Sequence, residues 1–525
     1  MNENNLYYKR GMYLIDKLLN IYSNDPTFYN KRKQLSLSEL KRMMTNRELV
    51  GKDINSFNIT ALTSLFGINK ENIENTNKHD DYDINYINKK IKDNRELTIV
   101  KKVYHDYDKD RDITTKFDDW LSVENCVHPS ISYMMNIRNG LLHSEYEILD
   151  KYGFLLRVQN SNYTHFKSSI LLPGIIAFSR CYFGNNPYTG LQENTGAFEI
   201  DSKRQLKNKE ELVKAIRTLR LHKINYENKS TTSNKNIPDS LLYDYIIDKS
   251  YNKNKNIDLD KTLKKICGKD YNYSVNQVFL DEDQILMVLK MIDKYYGKEF
   301  YNLDQKSQFV QICNITKYLL DSRSTISDWI CDYMEFFEFL QIVDEAIRQT
   351  KKYDECIKPL MQDATEELNL RSVFACKTSL LIIKLYHILY RLQNKKYDEV
   401  NYNDINFDIT GDDYSYERIE NATTIYDFSI DEAKMRLKNP TLSDKEIKNK
   451  CICEIIRNSL AHGNIEIKFK LIADEIVEYI VFEDNYHSKI RKLEMTLNKL
   501  EQFLNSNAFS VENCIIKESA KVKTL

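Results

Sequence analysis

A six-residue string occurs twice in this chain, and the second copy limits how the rest can fold. The copies are Arg138-Asn139-Gly140-Leu141-Leu142-His143 and Arg457-Asn458-Ser459-Leu460-Ala461-His462. With only 9 histidines in 525 residues, two in one Arg-Asn-x-Leu-x-His frame are hard to assign to accident. Ile137 and Ile456 precede the arginines, and Glu147-Ile148 and Glu466-Ile467 follow the histidines at matching offsets. Over the 11 positions that start at each arginine, 6 are identical, and the two copies stand 319 positions apart.

The surroundings repeat as well. The first string lies on an amphipathic segment that opens at His128-Pro129, with proline suited to a first helical turn and a buried stripe of Ile131, Met134, Met135, Ile137, Leu141 and Leu142. After His143 the period changes, and 146–149 and 153–158 read as two short strands, followed by a helix from about 166 that is disturbed at Pro173-Gly174. The second string ends a helix with a capping-box start, Ser443 with Glu446, and with Gly463 where a left-handed C-terminus belongs. An alternating strand over 465–469, a partner over 475–482 and a closing helix over 486–505 come next. Motif helix, two short strands, helix: the duplication is one of structural units.

Composition places the chain among mostly helical proteins. It has 13 Gly and 7 Pro, 42% apolar content and enough length for two to four domains. Further helices are expected over 5–22, 38–45, 58–66, 238–249, 258–267, 280–296, 304–320, 324–350, 355–368 and 371–395. Polar connections are expected over 69–96 and 397–415. The aromatics from Trp329 to Phe339 and the histidine at 387 read as core packing. Ten cysteines without a CxxC pair point to reduced thiols and a cytoplasmic setting. The start shows no signal-peptide pattern, and the apolar runs are too short to span a bilayer. No Walker A loop, dinucleotide fingerprint or HExxH occurs. Asp80-Asp81-Tyr82-Asp83 and Asp412-Asp413 read as solvated loop charges, so no metal or cofactor is expected.

An arginine and a histidine five positions apart on a helix differ by about 140° in direction. They share a cleft only where the histidine sits at a helix end and two such helices meet. Two Arg and two His in one cleft suit RNA cleavage without a metal. RNA carries its own nucleophile, the 2′-OH, so the protein has only to move protons and stabilise the charged phosphorane. Histidine does the first; arginine, bidentate toward phosphate, does the second. The adjoining Asn139 and Asn458 are placed to orient the arginines or cap backbone.

The strings resemble the R-x(4–6)-H signature of the HEPN (higher eukaryotes and prokaryotes nucleotide-binding) superfamily, written R-N-x-x-x-H in its ribonucleases; the specific match covers about 20 residues per copy. The resemblance implies α-helical bundles, pairing of two motifs and metal-independent cleavage that leaves a 2′,3′-cyclic phosphate. On this chain Arg138 and His143 would pair with Arg457 and His462, supported by Asn139 and Asn458, within one polypeptide; a homo-oligomer stays open. Such proteins are similar to bacterial anti-phage, abortive-infection or toxin ribonucleases, with an antitoxin or a guide RNA as candidate partner. Type VI CRISPR effectors also carry two HEPN units but are larger and more basic, whereas this chain has a net charge of −1. In HEPN toxins controlled by nucleotidyltransferase antitoxins a tyrosine follows the histidine by two positions; here Tyr146 follows by three. A non-catalytic binder of RNA or nucleotides is the alternative.

The expected fold is therefore mainly α: two HEPN-like helical bundles, each with a short β-hairpin after its motif helix, plus a helical insertion. The expected boundaries are an N-terminal lobe over 1–224, a linker over 225–236, a helical middle over 237–415 and a second unit over 416–525 packed with helices of 280–395. A basic helix is expected over 205–223. It reads first as a solvated face balanced by Glu210 and Glu211, and secondly as an RNA-backbone contact through Lys207, Lys214, Arg217 and Arg220.

Overall fold

The computed structural model describes residues 11–16, 18–19, 51–70, 73–74, 121–125, 133–143, 145–148, 155–160, 166–183, 195–199, 204–228, 271–323, 325–331, 333–334, 376–393, 401–405, 414–418, 423–425, 429–486 and 489–509. In chain order these form α1 (Gly51–Ile68), β1 (Leu121–Asn125), α2 (Tyr133–Leu142), β2 (Tyr146–Ile148), β3 (Leu155–Asn160), β4 (Phe166–Leu171), α3 (Leu172–Phe183), β5 (Thr195–Glu199), α4 (Lys209–Arg217), β6 (Arg220–Asn228) and β7 (Tyr271–Phe279). They continue with α5 (Glu282–Tyr295), α6 (Gln305–Leu320), α7 (Cys376–Gln393), β8 (Tyr414–Arg418), β9 (Thr423–Ile425), α8 (Ser429–Lys438), α9 (Asp444–His462), β10 (Ile465–Ile472), β11 (Glu475–Tyr486), β12 (Lys489–Thr496) and α10 (Leu497–Leu504). The molecule is mainly helical with small antiparallel sheets. Among the described residues no helix is long and apolar enough to cross a membrane.

The two motif helices sit in matching surroundings. The first sheet runs β1-β4-β3-β2, and the second runs β10-β11-β12-β8-β9. In each, the strand after the motif helix is the edge, the chain meanders inward through two more strands, and the third pairs with a strand that precedes the motif helix. The likeness extends to single bonds. Glu145 N–H reaches the Gly140 carbonyl and Asn464 N–H the Ser459 carbonyl, each at 2.8 Å. The hairpins then start with the pairs Tyr146↔Val158 and Ile465↔Phe482, at equivalent positions. A third sheet, β5-β6-β7, carries α4 and α5 after its strands.

Helix α1 lies between the two units and contacts α2, α3, α7 and α9. Its residues 55–68 are all buried, although Asn55, Ser56, Asn58, Thr60, Thr63 and Ser64 are polar. Hydroxyls at such sites can bond one turn back along their own helix. Thr60 donates to the Ser56 carbonyl at 2.9 Å, Thr63 to Ile59 and Ser64 to Thr60, each at 2.8 Å. One hydrophobic core extends from Met12 through both units to Phe509, so the halves share an interior.

Several expectations are corrected. The helix expected from 166 starts at Leu172, so Pro173 lies in its first turn and disturbs nothing. Residues 166–170 form a strand whose burial alternates. The closing helix over 486–505 likewise divides into β12, with Leu493 and Met495 buried, and α10, capped by Thr496, whose side chain accepts from Lys499 N–H. The basic segment over 205–223 is a 9-residue helix, α4, followed by a strand. The first residues of the expected linker, 225–228, belong to that strand and pair with β7, which the sequence did not suggest. The polar stretch from 69 opens with helical residues, Lys70, Ile73 and Glu74.

Helices expected over 280–296, 304–320 and 371–395 appear as α5, α6 and α7. Those over 38–45, 238–249, 258–267 and 355–368 lie outside the described residues. Trp329 is core, and His387 Nδ1 lies 2.9 Å from Thr60 Oγ1. Cys313, Cys331, Cys451 and Cys453 are buried.

Candidate active site

The site is built from the C-terminal ends of α2 and α9. The capping box of Ser443 and Glu446 starts α9, and Gly463, with φ 72°, ends it immediately after His462. His143 follows the last residue of α2, its N–H still bonded to the Asn139 carbonyl at 2.8 Å. Both histidines are thus at helix ends, as the spacing requires.

In each copy the arginine is tied to the asparagine beside it. Arg138 Nη1 donates to Asn139 Oδ1 at 2.9 Å; Arg457 donates to Asn458 Oδ1 from Nε at 3.0 Å and from Nη2 at 2.5 Å. Asn458 in turn donates Nδ2–H to Asp484 at 3.0 Å, and Arg491 also donates to this buried carboxylate. Asp484 therefore fixes which way the Asn458 amide faces, and through it the Arg457 guanidinium.

A hydrogen bond joins the copies. Arg138 Nη2 donates to the carbonyl of Ala461, the residue before His462. The last carbonyls of a helix have no partners within it, and cations are favoured there by the helix dipole. Around the end of α9 these carbonyls are taken up one by one. Tyr386 Oη donates to Leu460 at 3.1 Å, Arg138 to Ala461, and Arg323 Nη2 to Gly463 at 2.9 Å. Burial pushes the Tyr386 phenol upward, so it remains a donor.

Arg138 is only 7% exposed. Burial draws its guanidinium down to about 10, against the opposing effects of Tyr386 and Glu74, so it is still a cation at neutral pH. Its Nε is buried without a hydrogen-bond partner. Both imidazoles lie below the ordinary histidine value. For His143 the chief cause is burial; Glu145 pulls it back and Arg138 lowers it further. For His462 it is burial, then Lys70; Asp484 and Glu74 oppose, while Arg138 adds to the lowering. Arg138 thus bears on both imidazoles.

Of the six residues, the structure brings Arg138 of the first copy to the end of α9, beside Ala461 and His462 of the second. The basic residues of α4 stand elsewhere, where α4 packs on α5. Lys214 pairs with Glu210 at 3.0 Å and Arg217 with Glu282 at 3.2 Å, Lys207 is exposed, and Arg220 starts β6. Among the described residues no group of three or more His, Cys, Asp or Glu is placed to hold a metal ion. Sequence reasoning missed Lys70, Arg323, Tyr386 and Asp484, which come from four other elements and carry no local spacing signal.

Residues 321–517 match the family described as HEPN pEK499 p136. This stretch is a HEPN domain. It contains α9, the hairpin after it and the second Arg-His copy; the first copy lies outside the match. One HEPN domain is therefore shown where the sequence suggested two. No curated protein and no solved structure matches the chain.

Proposed function

We propose that the chain is a metal-independent endoribonuclease whose site is composite, with the unit around α2 acting as a second, divergent HEPN unit. HEPN domains are typical of ribonucleases. The observation that carries the reading is the bond from Arg138 to the Ala461 carbonyl, since it ties the arginine of one copy to the backbone beside the histidine of the other. One imidazole takes the 2′-OH proton as the 2′-oxygen bonds to phosphorus. The other stands on the leaving side, where the bond to the 5′-oxygen breaks and that oxygen is protonated. Arg457, half-buried and held by Asn458, stabilises the phosphorane, while Arg138 adds charge and fixes the end of α9. The biological setting we favour is anti-phage defence or a toxin, with an antitoxin or a guide RNA as partner.

Purified protein is expected to cut RNA in EDTA, leaving 2′,3′-cyclic phosphate and 5′-hydroxyl ends, and to spare any linkage whose 5′-side sugar is 2′-deoxy. Mapping end groups on a short labelled RNA checks this, and cleavage at a 2′-deoxy position would sink the mechanism. A second reading draws on the burial of Arg138: a guanidinium committed to a helix end suits a HEPN pair that binds RNA or nucleotides without cutting. That reading expects RNA retained in a gel shift with no cyclic phosphate formed.

Lys207, Lys214, Arg217 and Arg220 are the proposed RNA-backbone contacts outside the site. Surface ion pairs such as those of Lys214 and Arg217 contribute about 0–1 kcal/mol, so these cations can exchange partners for phosphate at small cost. Changing Lys214 and Arg217 to glutamine should lower the salt dependence of RNA binding by about 0.7 in log–log slope per lost contact. An unchanged slope in a binding titration across salt would leave them as surface ion pairs alone.

A further inference from the structure

The lysine just past α1 makes a contact that the paired-motif reading does not use. Lys70 Nζ lies 3.2 Å from His462 Nδ1, and the same ammonium pairs with Glu74 at 3.2 Å, one turn along. The approach is close along the backbone too: a Cβ at Gly463 would stand 3.3 Å from Lys70 Cβ and 3.0 Å from the Gly67 carbonyl. The end of α1 is thus held against the end of α9.

An ammonium only donates hydrogen bonds. Nδ1 of His462 must therefore accept, which places the ring hydrogen on Nε2. Protonating Nδ1 would turn an N–H toward a cation, so an imidazolium is disfavoured here, and the direction of the His462 shift agrees. Among the described residues, the charged groups that act on the ring are Lys70 and Glu74 past α1, Asp484 on β11 and Arg138 on α2, and the Arg323 guanidinium lies on the adjoining Gly463 carbonyl. At His143 the largest influence of a charged neighbour comes instead from an anion, Glu145.

Building on the ribonuclease reading, we propose that Lys70 is a positioning residue that holds His462 in the Nε2–H tautomer and resupplies its proton, so that His462 serves the leaving oxygen and His143 is the base. The 2′-oxygen bonds to phosphorus as its proton passes to His143. The bond from phosphorus to the 5′-oxygen breaks, and that oxygen takes the Nε2 proton of His462. Nδ1 takes a proton from the Lys70 ammonium. The imidazole ends neutral in its other tautomer, the lysine ends as an amine, and exchange with water restores both. Glu74 keeps the ammonium aimed at the ring.

The test is the pH profile of kcat/KM for the full chain, its Lys70→Met and Lys70→Arg variants, and the His462 ring titration by NMR. The parent should keep its activity as pH rises past the ordinary histidine value of about 6.5. Lys70→Met should lose at least tenfold at about pH 8, with KM for RNA unchanged and His462 titrating higher than in the parent. Lys70→Arg keeps a charged donor that does not give up a proton, so His462 should still titrate low while activity at about pH 8 falls as in Lys70→Met. Full activity in Lys70→Arg, a His462 titration unmoved in Lys70→Met, or a loss confined to KM would each overturn the relay. A parent that cuts no RNA would sink the nuclease reading itself. A parent that cuts, but whose rate falls as pH rises through the histidine range, would sink only the role of Lys70.

Discussion

On the proposed ribonuclease reading, replacing His143 or His462 by alanine should lower RNA cleavage by about 100- to 10,000-fold, while the thermal midpoint should stay near that of the parent. Neither side chain is core: His143 is half-buried beyond the last turn of α2, and His462 stands at the solvent-facing end of α9 with its ring only partly shielded from water. Little packing is lost with either ring. If both imidazoles act on one phosphate as a unit, the double variant should be about as impaired as either single one. Rates that multiply would place them in separate sites. The pH dependence follows from the direction of the His143 shift. A base must be neutral, and burial holds His143 below its ordinary value, so it is already a competent base at neutral pH. Activity should therefore survive below about pH 6.5 and fail only as pH drops through the lowered value. Glu145→Gln removes the influence that raises His143, so this acid limb should move further down. A limb that moves up would mean that Glu145 acts in some other way.

How far the sequence could be read depended on whether a signal was local. The second motif helix was fully legible because each of its devices lies within a few residues of its partner: Ser443 with Glu446 at the start, Gly463 at the end. The hairpins were legible because their alternation begins just where the helix stops. The third strand of each unit was misread as helix, both times for one physical reason. Leu171 passes directly into α3 at Leu172, and Thr496 directly into α10 at Leu497, with no turn residue between them. The apolar pattern of the strand thus runs into that of the helix. The Arg-His pairs stood out because they were duplicated, whereas their supports did not. Lys70, Arg323, Tyr386 and Asp484 reach the end of α9 or Asn458 from distant segments, and only the folded chain sets them there.

The other large effect is expected at Gly140, where the two copies differ. An added Cβ would lie 2.3 Å from the Gln159 carbonyl oxygen and 2.3 Å from Val158 Cγ1. The first of these is backbone of the hairpin strand β3 and cannot rotate away, so α2 would have to lift off its hairpin. In the second copy the same position is Ser459, buried, with its hydroxyl on the Ile455 carbonyl at 2.8 Å, so α9 leaves room for a side chain there. Overpacking of this kind costs about 1–3 kcal/mol, and Gly140→Ala should lose about that much in denaturant unfolding. The displacement also moves Arg138, two residues earlier, away from Ala461. Misplacing reacting groups by about 1 Å can cost about 100-fold in rate, so cleavage should fall by more than the lost stability explains, even where the variant is fully folded. Ser459→Ala is the control: it removes one hydroxyl that bonds within its own helix, and both stability and cleavage should change little. If Gly140→Ala unfolds no earlier than the parent and cuts RNA equally well, then α2 does not depend on its close seat against β3, and the bond from Arg138 to Ala461 would not be what holds the two motif helices in register.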